Sequence, residues 1–417
     1  MKKVVISTLA LGMLAWTSCS SDDTPVMQTS DFEPVESGII TTDQAKAIAQ
    51  AAVKGLSGET DSRATEKQFT DCRISMYPAE SRSVSSEQLC YIVNFDDGGY
   101  AVVAADKRAP EVLAMNDDGS FAPEKDEAHH FFMDLAYEYL STRDLSGLTP
   151  FDSTAVLEPA YTWHNGHRCG IVASRVNNYI KKFNLIKTEW HQDSPFNELC
   201  PTEKDVDWGL EMHCPTGCWA TALAQIMAYH KKPISYNGYY YNWTALTENK
   251  TIIWYFSEAG YEAARLCFDI GLACNMKYKL DGSSAIFSDG VKAAKAFGYT
   301  DVKTYLGYNE SLILSELQDN RPIIINSSEQ SGAEGHVWII DGANCTYTET
   351  DFQNIDNNTF CYTSRSDMVY LHCNWGWGWE TDSDYNGGFY LSKVFNPHNN
   401  TINYDFKYDF AILYNIY

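Results

Sequence analysis

Basic residues are scarce in this chain. Its 31 Lys plus Arg face 55 Asp plus Glu, a formal net charge of −24 over 417 residues. That balance excludes nucleic acid as a partner, because phosphate recognition needs clustered cations; it reads as a device for solubility. Long apolar runs are missing beyond the first 16 residues, so no transmembrane helix is expected. Twelve cysteines are too sparse for a small disulfide scaffold. No Cys/His cluster has zinc spacing and no glycine-rich stretch has the form of a phosphate loop, so neither metal nor organic cofactor is expected. What is plentiful is core material: 44% hydrophobic and 14% aromatic residues, enough for two or three domains.

The N-terminus points to export. Lys2 and Lys3 precede an apolar stretch from Val4 to Trp16, too short to span a bilayer. Thr17 and Ser18 then lead to Cys19, which resembles the lipidated cysteine of a bacterial lipoprotein signal; an ordinary secretory signal with an incidental cysteine is the alternative. The expected division is a signal peptide over 1–18, a polar tether over 19–40, an N-terminal α+β domain over 41–165, which the resemblance given below makes a prodomain, and a main domain over 170–417. In the first of the two folded parts, a helix opens with Thr42 as its N-cap, and Asp96-Asp97-Gly98-Gly99 joins two β-rich runs as a hairpin. A further helix spans 125–141, with His129-His130 read as solvated. Past the boundary, Val176–Phe183 is read as a helix.

The main domain is organised around Gly217-Cys218-Trp219-Ala220-Thr221-Ala222-Leu223-Ala224-Gln225-Ile226-Met227. Trp219, Leu223, Ile226 and Met227 form an apolar stripe at helical spacing, which leaves Cys218 in the first turn. Free N–H groups and the helix dipole there favour a thiolate, the form a nucleophile needs. A small buried cysteine, or a disulfide to Cys214, would also fit the local pattern.

A nucleophilic cysteine needs a base, and the base an orienting group. His336 follows a glycine and opens an apolar strand; Asn374 ends a later strand and is flanked by Trp375 and Trp377. A neutral Asn can accept from one ring N–H, and indoles can shield that bond. Gln192, in an aromatic and polar turn upstream, offers a side-chain amide as an oxyanion donor beside the Cys218 N–H. Other histidines, among them His213, His230 and His372, compete with His336 on sequence alone.

Three motifs, Gly217–His230, Gly335–Ala343 and Asn374-Trp375-Gly376-Trp377-Gly378, closely resemble the streptopain family of secreted bacterial cysteine proteases. Gly99–Leu113 resembles part of that family's inhibitory propeptide. The resemblance implies a papain-like two-lobed α+β catalytic domain, with a helical lobe and an antiparallel β lobe, preceded by the prodomain. It implies Cys218 as nucleophile, His336 as general base and acid, Asn374 and Trp375 as its support, and Gln192 as oxyanion donor. It further implies protein or peptide substrates, the prodomain as intramolecular inhibitor, and a membrane link only through a lipid on Cys19. Two other functions fit the sequence: a non-catalytic surface lipoprotein binding protein or glycan through its aromatic cleft, and an amidase acting on cell-wall peptides.

Overall fold

The structure is a computed structural model. It describes residues 40–57, 71–77, 89–106, 112–142, 161–252, 254–329, 335–377, 387–395 and 408–417. The export segment, Cys19, the tether and residues 143–160 at the expected domain boundary lie outside these. Along the chain run α1 (Thr42–Ser57), β1 (Cys72–Tyr77), β2 (Cys90–Phe95), β3 (Tyr100–Ala104), β4 (Val112–Asn116), α2 (Glu127–Thr142), β5 (Tyr161–His164) and β6 (His167–Asn184). There follow β7 (Thr202–Lys204), β8 (Glu211–His213), α3 (Cys218–His230), β9 (Ser235–Tyr236), β10 (Tyr239–Tyr240), α4 (Trp243–Thr247), α5 (Glu258–Ala273) and α6 (Phe287–Ala296). The last third contains β11 (Lys303–Leu306), α7 (Glu310–Gln318), β12 (Ile323–Glu329), β13 (Gly335–Asn354), β14 (Phe360–Asn374), β15 (Gly388–Leu391), a 3-10 turn (Ser392–Phe395) and β16 (Tyr408–Tyr414).

Two compact units emerge. One comprises the described residues within 1–118, 143–180 and 345–368; the other comprises those within 119–142, 181–344 and 369–417. In the first, β1 to β4 form an antiparallel sheet in sequence order. Helix α1 covers it with Ala45, Ile48, Ala49, Ala52, Val53 and Leu56, an apolar stripe at helical spacing that is wholly buried. Its start is a capping box: Thr41 N–H donates to Gln44 Oε1 at 2.8 Å and Gln44 N–H to Thr41 Oγ1 at 3.3 Å, which makes Thr41 rather than Thr42 the cap. The Asp96–Gly99 turn closes as expected, with Gly98 and Gly99 at φ 80° and 102°, a region costly for other residues.

The stretch 176–183 is not a helix: it lies in β6, which pairs with β5 and β13. Residues 345–368 are the outer parts of β13 and β14 and the turn between them. A disulfide, Cys169–Cys361, ties this region to β6 across 192 residues of sequence. Cys214 and Cys218 are both free thiols.

In the second unit the sheet order is β15-β14-β13-β12-β16-β11. The register of β12 against β13 sets Ile323 opposite Ile340, Ile325 opposite Trp338, and Ser327 opposite His336. Helix α3 is buried on every side from Trp219 to Ala228, more than the single stripe that the sequence suggests. Its neighbours include Leu266 and Ile270 of α5, Ala293 and Ala294 of α6, and Ile324, Val337, Ile339 and Leu413 of the sheet. A helix apolar all round belongs in a core, and this one carries Cys218 into it. Helix α2 lies in this unit too. His129 on it is buried, not solvated, while His130 is exposed. The ring lies tilted against Phe121, 4.0 Å between centroids, and its Nδ1 accepts the Ala122 N–H at 3.2 Å.

Candidate active site

Gly217 caps α3 at φ 85°. A side chain there would meet Met276 Sδ at 2.6 Å, so both conformation and space demand glycine, and Cys218 follows as the first helical residue. Cys218 is half-buried. Burial pushes its thiol up to about 11, while the backbone N–H groups of Val337, Trp219 and Cys218 itself pull the other way. The helix start thus does aim N–H groups at the sulfur. The thiolate expected from them is overruled by desolvation, which corrects the sequence reading for this state of the protein.

The Val337 amide belongs to the peptide that follows His336, so the sulfur sits against the start of β13, beside the histidine. His336 is 3% exposed, and burial lowers its pKa from 6.5 to about 3. Its Nε2 lies 2.8 Å from the Trp375 carbonyl oxygen. With Nε2–H as donor, Nδ1 is the nitrogen left with a lone pair. No hydrogen bond joins the ring to Cys218 Sγ among the described residues. Trp377 stacks on the imidazole at 3.7 Å, and Trp375 and Trp338 lie at 6.2 and 6.1 Å. From α2, Phe131 approaches edge-on, 6.1 Å from His336, 5.8 Å from Trp338, 6.0 Å from Trp375 and 5.1 Å from Tyr408.

Asn374 does not reach the ring. Its amide forms a two-bond pair with Gln225: Asn374 Nδ2 donates to Gln225 Oε1 at 3.0 Å, and Gln225 Nε2 donates to Asn374 Oδ1 at 3.1 Å. Nδ2 also reaches Thr188 O at 3.1 Å, and Oδ1 accepts the Gly376 N–H at 3.2 Å. The direct Asn–His bond expected from sequence is therefore replaced by a backbone one, from His336 to Trp375. Gln192 is half-exposed, and its carbonyl accepts the Thr216 N–H at 2.9 Å, which lashes its segment to the residues that precede Cys218. Cys218, His336, Asn374, Trp375 and Gln192 thus all lie in one compact unit.

Three contributors escape the sequence reading. Phe131 lies in a distant segment and gives no local signal. Trp377 is visible in the Trp/Gly motif, but its closeness to the ring is not. Gln225 is an amide in the otherwise apolar middle of the helix, Ala222 to Ala228, and that incongruity is the one clue. Below the site, His372 Nδ1 meets Asp341 Oδ1 at 2.6 Å, both buried, and Asp341 Oδ2 accepts the Ile186 N–H at 2.8 Å. His372 is thereby engaged in a structural pair away from Cys218.

A cysteine at a helix start, a histidine at a facing strand edge and an antiparallel sheet define a papain-like cysteine peptidase, here with a helix lying over its histidine. Residues 190–385 match the Peptidase C10 family, and residues 37–139 match the Spi protease inhibitor. The chain is similar to streptopain of Streptococcus pyogenes, 27% identical over 343 residues covering 74% of each protein. It is also similar to the thiol protease/hemagglutinin PrtT of Porphyromonas gingivalis, 26% identical over 77% of this chain and 35% of that protein. The fold matches a fragment of Prevotella intermedia prointerpain A with TM-score 0.53 at 20% identity, covering 82% of this chain and 98% of that one. Residues 190–385 are thus a streptopain-like C10 cysteine-peptidase domain, preceded by a Spi inhibitor-like prodomain. Helix α2, with Phe131, falls largely within the inhibitor stretch.

Proposed function

We propose that this protein is an exported cysteine endopeptidase, made as a zymogen, in which Cys218 is the nucleophile and His336 the general base and acid. The observation that carries the reading is the one side-chain hydrogen bond of His336 among the described residues: Nε2 donates to the Trp375 carbonyl at 2.8 Å, while the next residue's amide, that of Val337, meets the Cys218 sulfur. That leaves Nδ1 as the nitrogen for the thiol proton.

Once α2 withdraws, water reaches both groups and their pKa values relax toward each other. His336 Nδ1 takes the thiol proton, and the sulfur attacks the peptide carbonyl carbon, forming a C–S bond and an oxyanion. The Cys218 N–H and the Gln192 side chain donate to that oxygen. The tetrahedral adduct collapses as the imidazolium gives its proton to the leaving nitrogen, and the C–N bond breaks. Water, deprotonated by His336, then attacks the thioester; the C–S bond breaks and the thiol is restored. The Trp375 carbonyl holds the ring's tautomer throughout, and the stacked Trp377 indole limits water around it.

Substrates are extended polypeptides. Export, with a lipid on Cys19, rests on the N-terminal signal pattern; the mass of the mature N-terminal peptide tests it. The enzyme reading is tested by incubating the purified full-length chain and its Cys218→Ser variant alone and with casein. Self-shortening and casein cleavage by the first, with neither by the second, are expected. Equal behaviour of the two would overturn the assignment.

A further inference from the structure

Gln225 has no assigned part in the chemistry above, yet it sits on the nucleophile helix and bonds both the segment leading into Gln192 and the Asn374 turn. It sits on α3 two turns beyond Cys218, on the same face of the helix and too far along it to meet the sulfur. It is fully buried. Its Oε1 accepts from the Trp190 N–H at 3.1 Å and from Thr188 Oγ1 at 3.1 Å, on the segment that leads into Gln192. The same oxygen accepts from Asn374 Nδ2, and its Nε2 donates back to Asn374 Oδ1, at 3.0 and 3.1 Å. Asn374 in turn fixes the following turn through the Gly376 N–H, at 3.2 Å, and Gly376 holds φ 69° there. The residue inside that turn is Trp375, whose carbonyl holds His336.

We infer that Gln225 is a positioning residue: one buried carboxamide registers the nucleophile helix, the oxyanion segment and the carbonyl that orients the catalytic histidine. Gln225 touches neither substrate nor reacting atoms and acts through Asn374 and Trp190. A carboxamide suits the task because it presents a strong acceptor and a donor in one plane, and only such a group can close the two-bond pair with Asn374 while also receiving Trp190 and Thr188. Asn374 accordingly serves as the link that transmits the position of α3 to the Trp375 carbonyl. A strictly structural role for the pair would be felt in folding alone; a positioning role is felt in turnover, since misplacing a catalytic group by about 1 Å costs roughly 10²-fold in rate.

The inference rests on the reading of Cys218 and His336 given above, and the test separates the two. Full-length chains carrying Gln225→Leu and Gln225→Glu are processed by a trace of wild-type enzyme, and kcat and KM are measured on a peptide substrate from pH 4 to 8. An inactive wild type would sink the enzyme reading; the variants speak to Gln225 only when the wild type turns over. Gln225→Leu fills the same space but ends all four bonds. It is expected to lower kcat about 10²-fold with KM little changed. The Gln225→Glu carboxyl, when protonated, can donate to Asn374 Oδ1 and accept from Trp190, Thr188 and Asn374. When ionised it cannot donate. Its kcat, relative to wild type at each pH, should therefore recover at low pH and fall as pH rises. A folded Gln225→Leu with wild-type kcat would overturn the inference. Should Gln225→Leu not fold, Gln225→Glu decides: a kcat ratio to wild type that does not vary with pH overturns it, and acid recovery sustains it.

Discussion

Acid should weaken the latent protein through His336, by an amount that can be worked out. The ring is held neutral, with a pKa of about 3 against an ordinary 6.5, because it is buried beneath Phe131 and three indoles. Its folded value lies below its unfolded one. Between the two, the unfolded chain carries a proton that the folded chain does not, so stability rises with pH across that window. The contribution is complete above about 6.5 and is lost as pH falls toward 3. At about 1.4 kcal/mol per pH unit the total approaches roughly 5 kcal/mol, a large share of a domain's stability. His129 and His191, held at about 3 and about 4 by the same desolvation, add to the trend. The contribution of His336 can be isolated in the Cys218→Ser background, where self-cleavage does not interfere. Urea unfolding followed by tryptophan fluorescence gives stability at each pH from 4 to 6. Replacing His336 by Gln should reduce the slope of stability against pH by about 1.4 kcal/mol per unit. Identical slopes in the two proteins would refute the claim that the folded chain buries a neutral imidazole.

Two further outcomes are expected. Phe131→Ala removes a ring packed against four others, a truncation worth about 3–5 kcal/mol; the full-length variant should process itself faster than wild type in a time course on gels, and an unchanged lag would show that α2 does not hold the site closed. Asp341→Ala leaves His372 and the Ile186 N–H without their buried partner and should cost about 3–5 kcal/mol in urea unfolding, whereas Asp367→Ala, which breaks an exposed pair with Arg365, should cost under about 1 kcal/mol. Similar costs for the two would contradict the ranking.

Much of this architecture can be read from local pattern. The helix at Thr42, the Gly98-Gly99 hairpin, α2 and the helix that Cys218 opens follow from spacing within a dozen residues, and the structure has them where the sequence puts them. Residues 176–183 read locally as helix, and what makes them a strand is a partner far along the chain. The Cys169–Cys361 bridge spans a similar distance and leaves no local trace. At the site, residue types and their order were visible, but their environment was not. The N–H groups at the start of α3 promise a thiolate; only the packing of α2, β13 and the Trp375 turn reveals that burial wins and that both members of the pair are neutral in the latent chain. Likewise an Asn before a Trp suggests a side-chain acceptor for the histidine. The actual acceptor is the next residue's carbonyl, because Asn374 is committed to Gln225.

The central claim is that uncovering the site converts a neutral thiol and imidazole into a reactive pair. The most direct measurement is the rate at which iodoacetamide alkylates Cys218 in the self-processed enzyme, located by peptide mass spectrometry, as a function of pH and compared with His336→Ala processed in trans by the wild type. The account predicts fast alkylation at pH 6, below the ordinary range of a thiol, falling about 10²-fold in the variant. Equal rates in the two proteins at pH 6 would contradict it.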